Sequence, residues 1–185
     1  MTKTWKEHKV ETEFFIHRSA IVDTQGEWRA KGQGNPKIGK GTNIWHFSHV
    51  CLGSSIGDQC IIGQNVYIGP NVIIGNNCRI QNNVSVYDGV TIGNDVFVGP
   101  SVVFTNVKLP RPKVKAKRFD RIIIEDSVMI GANSTIVAPC TIRSGASIGA
   151  GSVVTMREVP PNSIIYGNPA RVQSWKRQEN SQDKG

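Results

Sequence analysis

Residues 56–99 read IGDQCIIGQNVYIGPNVIIGNNCRIQNNVSVYDGVTIGNDVFVG, and their period decides the fold. Stepping by six from Ile38 gives Ile38, Ile44, Val50, Ile56, Ile62, Ile68, Ile74, Ile80, Val86, Ile92, Val98 and Phe104. A second run in the same step gives Ile124, Ile130, Ile136, Ile142, Ile148 and Val154. All eighteen positions are bulky and apolar. The next residue is often glycine, as at Gly57, Gly63, Gly69, Gly75, Gly93, Gly99, Gly131 and Gly149. The fourth residue after each bulky one is small or branched, as at Thr42, Ser48, Cys60, Val66, Cys78, Ser134, Cys140 and Ala146.

A unit of bulky–Gly–x–x–small–x is one short strand and a turn. Three such units close an 18-residue triangular coil whose bulky residues point inward. Stacked coils bury one continuous column. The glycines are expected to supply turn conformations closed to residues with a Cβ. Cys60, Cys78 and Cys140 fall at the small inward position and read as core rather than metal ligands. The four cysteines form no CxxC pair and are expected reduced.

Composition agrees. The 185 residues, 20.3 kDa, suit one compact domain, with 21 Ile and 20 Val against two Leu. Branched aliphatics and 19 glycines argue for pleated strands and against a helix bundle, a coiled coil or an ordinary α/β fold. No run of about 18 apolar residues could cross a membrane as a helix. The opening MTKTWKEHKVETEFF lacks an apolar signal core, so the chain is expected in the cytoplasm. The net charge of +8 suits a basic surface or a polyanionic partner, either nucleic acid or a phosphorylated small ligand.

Two segments break the period. Residues 23–37 interrupt it after Ile16 and Val22, which look like a partial first coil. Residues 105–121 hold seven basic residues (Lys108, Arg111, Lys113, Lys115, Lys117, Arg118 and Arg121) against one acid, Asp120. Two prolines stop that segment from continuing the strand, and a long loop leaving a solenoid is usually functional or disordered. The division expected is a cap and partial coil over 1–37, a β-helix over 38–158 with the loop at 105–121, and a closing segment over 159–185.

This repeat is that of the hexapeptide family, and the resemblance implies an all-β, left-handed parallel β-helix. The tail VPPNSIIYGNPARV (Val159–Val172) matches the closing segment of hexapeptide acyltransferases at Gly167, Pro169, Ala170 and Arg171. The stretch RIQNNVSVYDGVTIGNDVFVGPSVVFTNV (Arg79–Val107) resembles more narrowly the bacterial N-acetyltransferases of the WbpD/WlbB type. Those act on the 3-amino group of UDP-2-acetamido-3-amino-2,3-dideoxyglucuronic acid in O-antigen and surface-polysaccharide (lipopolysaccharide) pathways. IWHFSHV (Ile44–Val50), GQNVYIG (Gly63–Gly69) and IGANSTIV (Ile130–Val137) match the same family. The resemblance implies acetyl-CoA as donor, homotrimers, active sites between neighbouring subunits, and Asn106, ending Phe104-Thr105-Asn106, as the catalytic asparagine.

Coil arithmetic adds candidates. His46, Gln64 and Asn82 share one column, Phe47, Asn65 and Asn83 the next, and Asp88 stacks on Asn106. Polar amides and a carboxylate are thus expected just below the basic loop, as substrate ligands or as a ladder closing the turns. Asp88 can orient the acceptor or accept turn N–H groups. Tyr87 can pack on sugar or base, and Arg111 can fork onto phosphate or carboxylate. Arg111 matches an Asn-Pro-Arg element of the family with Leu109 in place of the Asn. The following PKVKAKRFDR lacks the family's Glu-Arg-Lys run and tyrosine. That leaves a neutral dTDP-3-amino-3,6-dideoxyhexose as an alternative acceptor. Ala132, Ala150 and Gly151 are expected along pantetheine, with Arg171, Lys176 or Arg177 on the coenzyme phosphates.

Other classes fit less well. A three-histidine zinc site would have to draw on His17, His46 and His49, since no histidine follows residue 49, and no metal is expected. A scaffold would explain the repeat but not the loop, Asn106 and tail. A nucleic-acid binder would interleave basic and exposed aromatic residues over a surface, whereas here the charge sits in one loop. With no histidine near the loop in sequence, the expected acceptor is an amine, which already has a neutral fraction near pH 7–8 and needs no base.

Overall fold

In the computed structural model, residues 14–23, 34–108, 110–113 and 118–175 are described. Lys115, Lys117, Leu109, Lys176, Arg177 and most of the 23–37 segment lie outside them. The described residues form short strands and no helix. The strands stack into one nine-stranded and two seven-stranded sheets. Up to Ser147–Ile148, each strand pairs in parallel with the one three strands later, the arrangement of an all-β, left-handed solenoid. No helix is long and apolar enough to cross a membrane.

The register is the six-residue period made physical. Tyr67 lies against Ser85 and Ile61 against Arg79, one 18-residue coil apart. Across the first interruption the offset widens to 28, with Phe15 against Asn43. Across the second it widens to 32, with Phe97 against Met129. The insertions therefore leave the stack and return without disturbing it. Ile16 and Val22 pair with Ile44 and Val50 as the partial first coil.

Of the eighteen bulky positions, seventeen are buried, and Ile38, on the first coil, is half-buried. The small inward position carries a second device. Thr42, Ser48 and Ser134 hydroxyls donate to the carbonyls of Gly57, Gly63 and Gly149 on the next coil, at 2.7, 2.7 and 3.0 Å. The thiols of Cys60 and Cys78 reach the Gly75 and Gly93 carbonyls in the same way, at 3.1 and 3.0 Å. Those cysteines are rungs of the core.

The glycines do a different job from the one expected. Left-handed backbone falls two residues later, at Asn65, Asn71, Asn77, Asn83, Asp95, Ser101 and Asn133. The glycine after each bulky residue is required by the coil above. A Cβ on Gly99 would lie 2.6 Å from Ala132 N, and one on Gly75 would lie 2.6 Å from Gly93 O.

The prism has three edges. Edge one joins the nine-stranded sheet to the sheet containing Tyr67, and edge two joins that second sheet to the sheet containing Ile73. Both interruptions leave from edge two. At the C-terminal end, Ser163–Gly167 is met by an antiparallel strand, Ala170–Trp175.

Gly99→Ala is expected to cost about 1–3 kcal/mol, because backbone rather than a yielding side chain occupies the space. Ser101→Gly, at φ 58°, should stay within about 1 kcal/mol of wild type. Thermal denaturation of the two variants checks the contrast.

Candidate active site

The candidates divide between two edges. Edge one carries the column His46–Gln64–Asn82–Pro100–Ala132–Ala150 and, beside it, Phe47–Asn65–Asn83–Ser101–Asn133–Gly151. Backbone bonds fix both columns: Asn83 N donates to Gln64 O, Ser101 N to Asn82 O, and Gly151 N to Ala132 O. Arg171 sits in the closing strand opposite Tyr166, above Gly149. Edge two carries Tyr87, Asp88 and Asn106, and the basic loop with Arg111. The expected single cluster below the loop is therefore two clusters separated by the second sheet. Gln64 and Asp88 lie 24 residues apart, a full coil plus one edge.

On edge one several amides have structural work. Asn82 Oδ1 accepts Gln64 N at 2.8 Å, as Asn76 and Asn94 accept backbone N–H groups on the third edge. Asn65 Nδ2 donates to Asn83 Oδ1 at 3.0 Å between two left-handed turns. Gln64, Asn65, Asn82 and Asn83 nonetheless stay exposed, as do Ala150, Gly151 and Arg171. Gln64 Nε2 lies 3.5 Å from His46 Nδ1.

On edge two, Asn106 is half-buried where the loop departs. Its Nδ2 donates to the Asp88 carbonyl at 3.2 Å, and its own carbonyl accepts Asp120 N at 2.8 Å. The side chain is thereby oriented, with Oδ1 left to accept from a ligand. Among the described residues the Asp88 carboxylate takes one side-chain bond, from Asn71 Nδ2 at 3.5 Å, and no turn N–H. A pocket of about 450 Å³ opens there between Asn71, Asp88, Gly89, Phe119 and Arg121. Arg111 is exposed.

A cluster below it escaped sequence reasoning. His49 Nε2 lies 2.9 Å from Asp23 Oδ1 and 3.8 Å from Cys51 Sγ. The His49 ring meets Tyr67 edge-on at 5.7 Å, and Tyr87 tilts against Tyr67 at 5.7 Å. Burial pushes the Tyr67 phenol and the Cys51 thiol up, so both stay protonated. Asp23, His49 and Cys51 offer three potential metal-ligand atoms within 4.8 Å of one another. The three histidines of a zinc reading do not converge. His17 stacks on His46 with centroids 3.5 Å apart, while His49 faces Asp23. His49 lies three coils below the level of Asn106, about 14 Å at ~4.8 Å per coil.

Stacked coils of six-residue units define a hexapeptide-repeat β-helix. Comparison with known proteins agrees. Residues 121–155 match the bacterial transferase hexapeptide family (six repeats), and residues 46–112 match the GMPPB C-terminal domain. The dTDP-3-amino-3,6-dideoxy-alpha-D-galactopyranose 3-N-acetyltransferase of Aneurinibacillus thermoaerophilus is 51% identical over 161 residues, 87% of this chain and 78% of that enzyme. The chain belongs to the hexapeptide-repeat nucleotide-sugar N-acetyltransferases. A Vibrio cholerae hexapeptide-repeat acetyltransferase, solved with acetyl coenzyme A, is 32% identical with a TM-score of 0.51, covering 63% of this chain and 71% of that one. The UDP-N-acetylglucosamine acyltransferase LpxA of Bacteroides fragilis shares the fold at a TM-score of 0.68 and 22% identity, over 88% of this chain and 61% of that one.

All four cysteines are buried. Burial pushes the Cys140 thiol up to about 11, whereas the hydrogen bond from the Cys78 thiol lowers Cys60. Inaccessibility rather than ionisation is what the four share, so a disulfide reagent should find no fast thiol in the native protein and four after denaturation. One fast native equivalent would contradict the assignment of these residues to the core.

Proposed function

We propose that the protein acetylates the 3-amino group of a nucleotide-linked 3-amino-3,6-dideoxyhexose, with acetyl-CoA as donor. The observation that carries this is the 51% identity to a dTDP-3-amino-sugar N-acetyltransferase along 87% of the chain. The loop is consistent, since it lacks the Glu-Arg-Lys run of the uronate-specific enzymes. This moves the preference from the UDP-linked 3-amino uronate to the dTDP-linked sugar, with the uronate kept as the rival acceptor.

The neutral amine attacks the thioester carbonyl carbon. A C–N bond forms, and the tetrahedral intermediate collapses with rupture of the C–S bond. The surplus proton on nitrogen passes to the departing thiolate, so no imidazole is needed. Asn106 Oδ1 accepts a hydrogen bond from the amine N–H and aims the nitrogen lone pair at the thioester. Asp88 holds a neighbouring sugar hydroxyl or draws the amine in by charge. Tyr87 packs on the sugar, and Arg111 meets the diphosphate. On edge one, pantetheine lies over Ala132, Ala150 and Gly151, whose small side chains admit it to the backbone, with Arg171 towards its phosphates.

The separation of the two clusters supports a site made by two copies. Edge one of one subunit faces edge two of the next, as a homotrimer would allow. The product fits surface-polysaccharide assembly from nucleotide sugars made in the cytoplasm.

Thiol release from acetyl-CoA should occur with dTDP-3-amino-3,6-dideoxyhexoses and much more slowly with the UDP-linked 3-amino uronate. Turnover with neither, together with no binding of CoA, would favour a non-catalytic scaffold. Asn106→Ala should lower kcat by about 10²-fold with the oligomer intact, the scale of a misplaced reacting group. An unchanged kcat removes its role.

A further inference from the structure

The foot of edge one carries a surface that the acetyl-transfer chemistry leaves unused. Trp45, His46 and Phe47 turn its lowest full coil. Phe47 is 70% exposed and has a left-handed φ of 59°. The same position on higher coils holds Asn65, Asn83, Ser101, Asn133 and Gly151, residues suited to that conformation. A bulky aromatic there runs against local preference, and such positions concentrate at functional sites.

Phe47 does not stand alone. The His46 ring lies over His17 at 3.5 Å, and Trp45 is nearly parallel to His46, with 14° between planes and 6.1 Å between centroids. Phe15 tilts against Trp45 at 5.5 Å. Desolvation, then the His46 and Arg18 charges, holds the His17 imidazole below its usual range. Ser19 Oγ accepts Phe47 N at 3.1 Å and fixes the corner. One coil higher stands the exposed amide of Gln64, and Arg18 is exposed beside the rings without an ion-pair partner among the described residues.

An aromatic surface, an amide above it and an exposed guanidinium match a planar heteroaromatic ring that bears an amide-like edge and a phosphate. We propose that the Trp45–His46–Phe47 corner is the nucleobase subsite, stacking the pyrimidine of the nucleotide sugar on Phe47, with Gln64 pairing to its imide edge and Arg18 meeting the phosphate next to the nucleoside, which leaves Arg111 the phosphate next to the sugar. This rests on the nucleotide-sugar reading above. The adenine of CoA is the other nucleobase at hand. The small residues assigned to pantetheine reach Ala150, five coils up, about 24 Å at ~4.8 Å per coil. The pyrimidine is therefore the occupant of this corner.

The test is calorimetric titration of the intact oligomer with dTDP and, separately, with CoA. Phe47→Asn places at the corner the residue the fold prefers, so the variant should fold. Base stacking on an aromatic is worth about 5- to 150-fold in affinity. Phe47→Asn should weaken dTDP at least about fivefold, while CoA affinity and oligomer mass stay as in wild type. Arg18→Gln should weaken dTDP more than thymidine. Unchanged dTDP affinity overturns the proposal, and a loss confined to CoA overturns it in favour of adenine. Dissociation of the oligomer assigns Phe47 to the subunit interface instead. If wild type turns over the dTDP sugar while Phe47→Asn keeps its KM, only the subsite fails. If wild type turns over no nucleotide sugar, the function proposed above fails.

Discussion

Every feature of this protein answers to one constraint, the direct stacking of each coil on the next through parallel backbone hydrogen bonds. The register forbids side chains where coils approach most closely and demands left-handed corners two residues later. It also hands the inward side chains of Thr42, Ser48, Cys60, Cys78 and Ser134 a carbonyl one coil up. Inward positions are thus spoken for by packing, and outward positions in mid-strand face a flat sheet. Freedom to specialise is left to corners and insertions. The oriented amide of Asn106, the carboxylate of Asp88 and the aromatic corner at Phe47 all lie there.

Much of this was readable in the chain because the period is strict. A bulky residue recurs every six positions, unbroken over 38–104, and the buried column follows it from Ile44 onward. The glycines were placed correctly but for another reason, since close approach between coils leaves no trace in local turn statistics. The split of Gln64, Asn65, Asn82 and Asn83 from Asp88 and Asn106 was also present in the numbering. Column and edge are separate remainders, and stacking shows only the first. The His49–Asp23–Cys51 contact was hidden. It depends on a 28-residue offset, and the length of an insertion cannot be inferred from a repeat that it interrupts.

The chemistry suits so rigid a frame. Acyl transfer to an amine asks for placement more than for proton traffic, and a solenoid places well because its corners cannot drift independently. An asparagine tied to the backbone of the coil below has a direction before any ligand arrives. The second sheet keeps the amide and small-residue edge apart from the Asn106 edge within one chain.

The closing strand Ala170–Trp175 reverses direction and lies antiparallel on Ser163–Gly167. A parallel solenoid is by nature extensible, since its final rung offers a ready template to any chain with the same pitch. Turning back at that rung hides the template of the longest sheet behind the protein's own backbone. The molecule thereby keeps a finite length, and end-to-end polymerisation into filaments is discouraged at that pole.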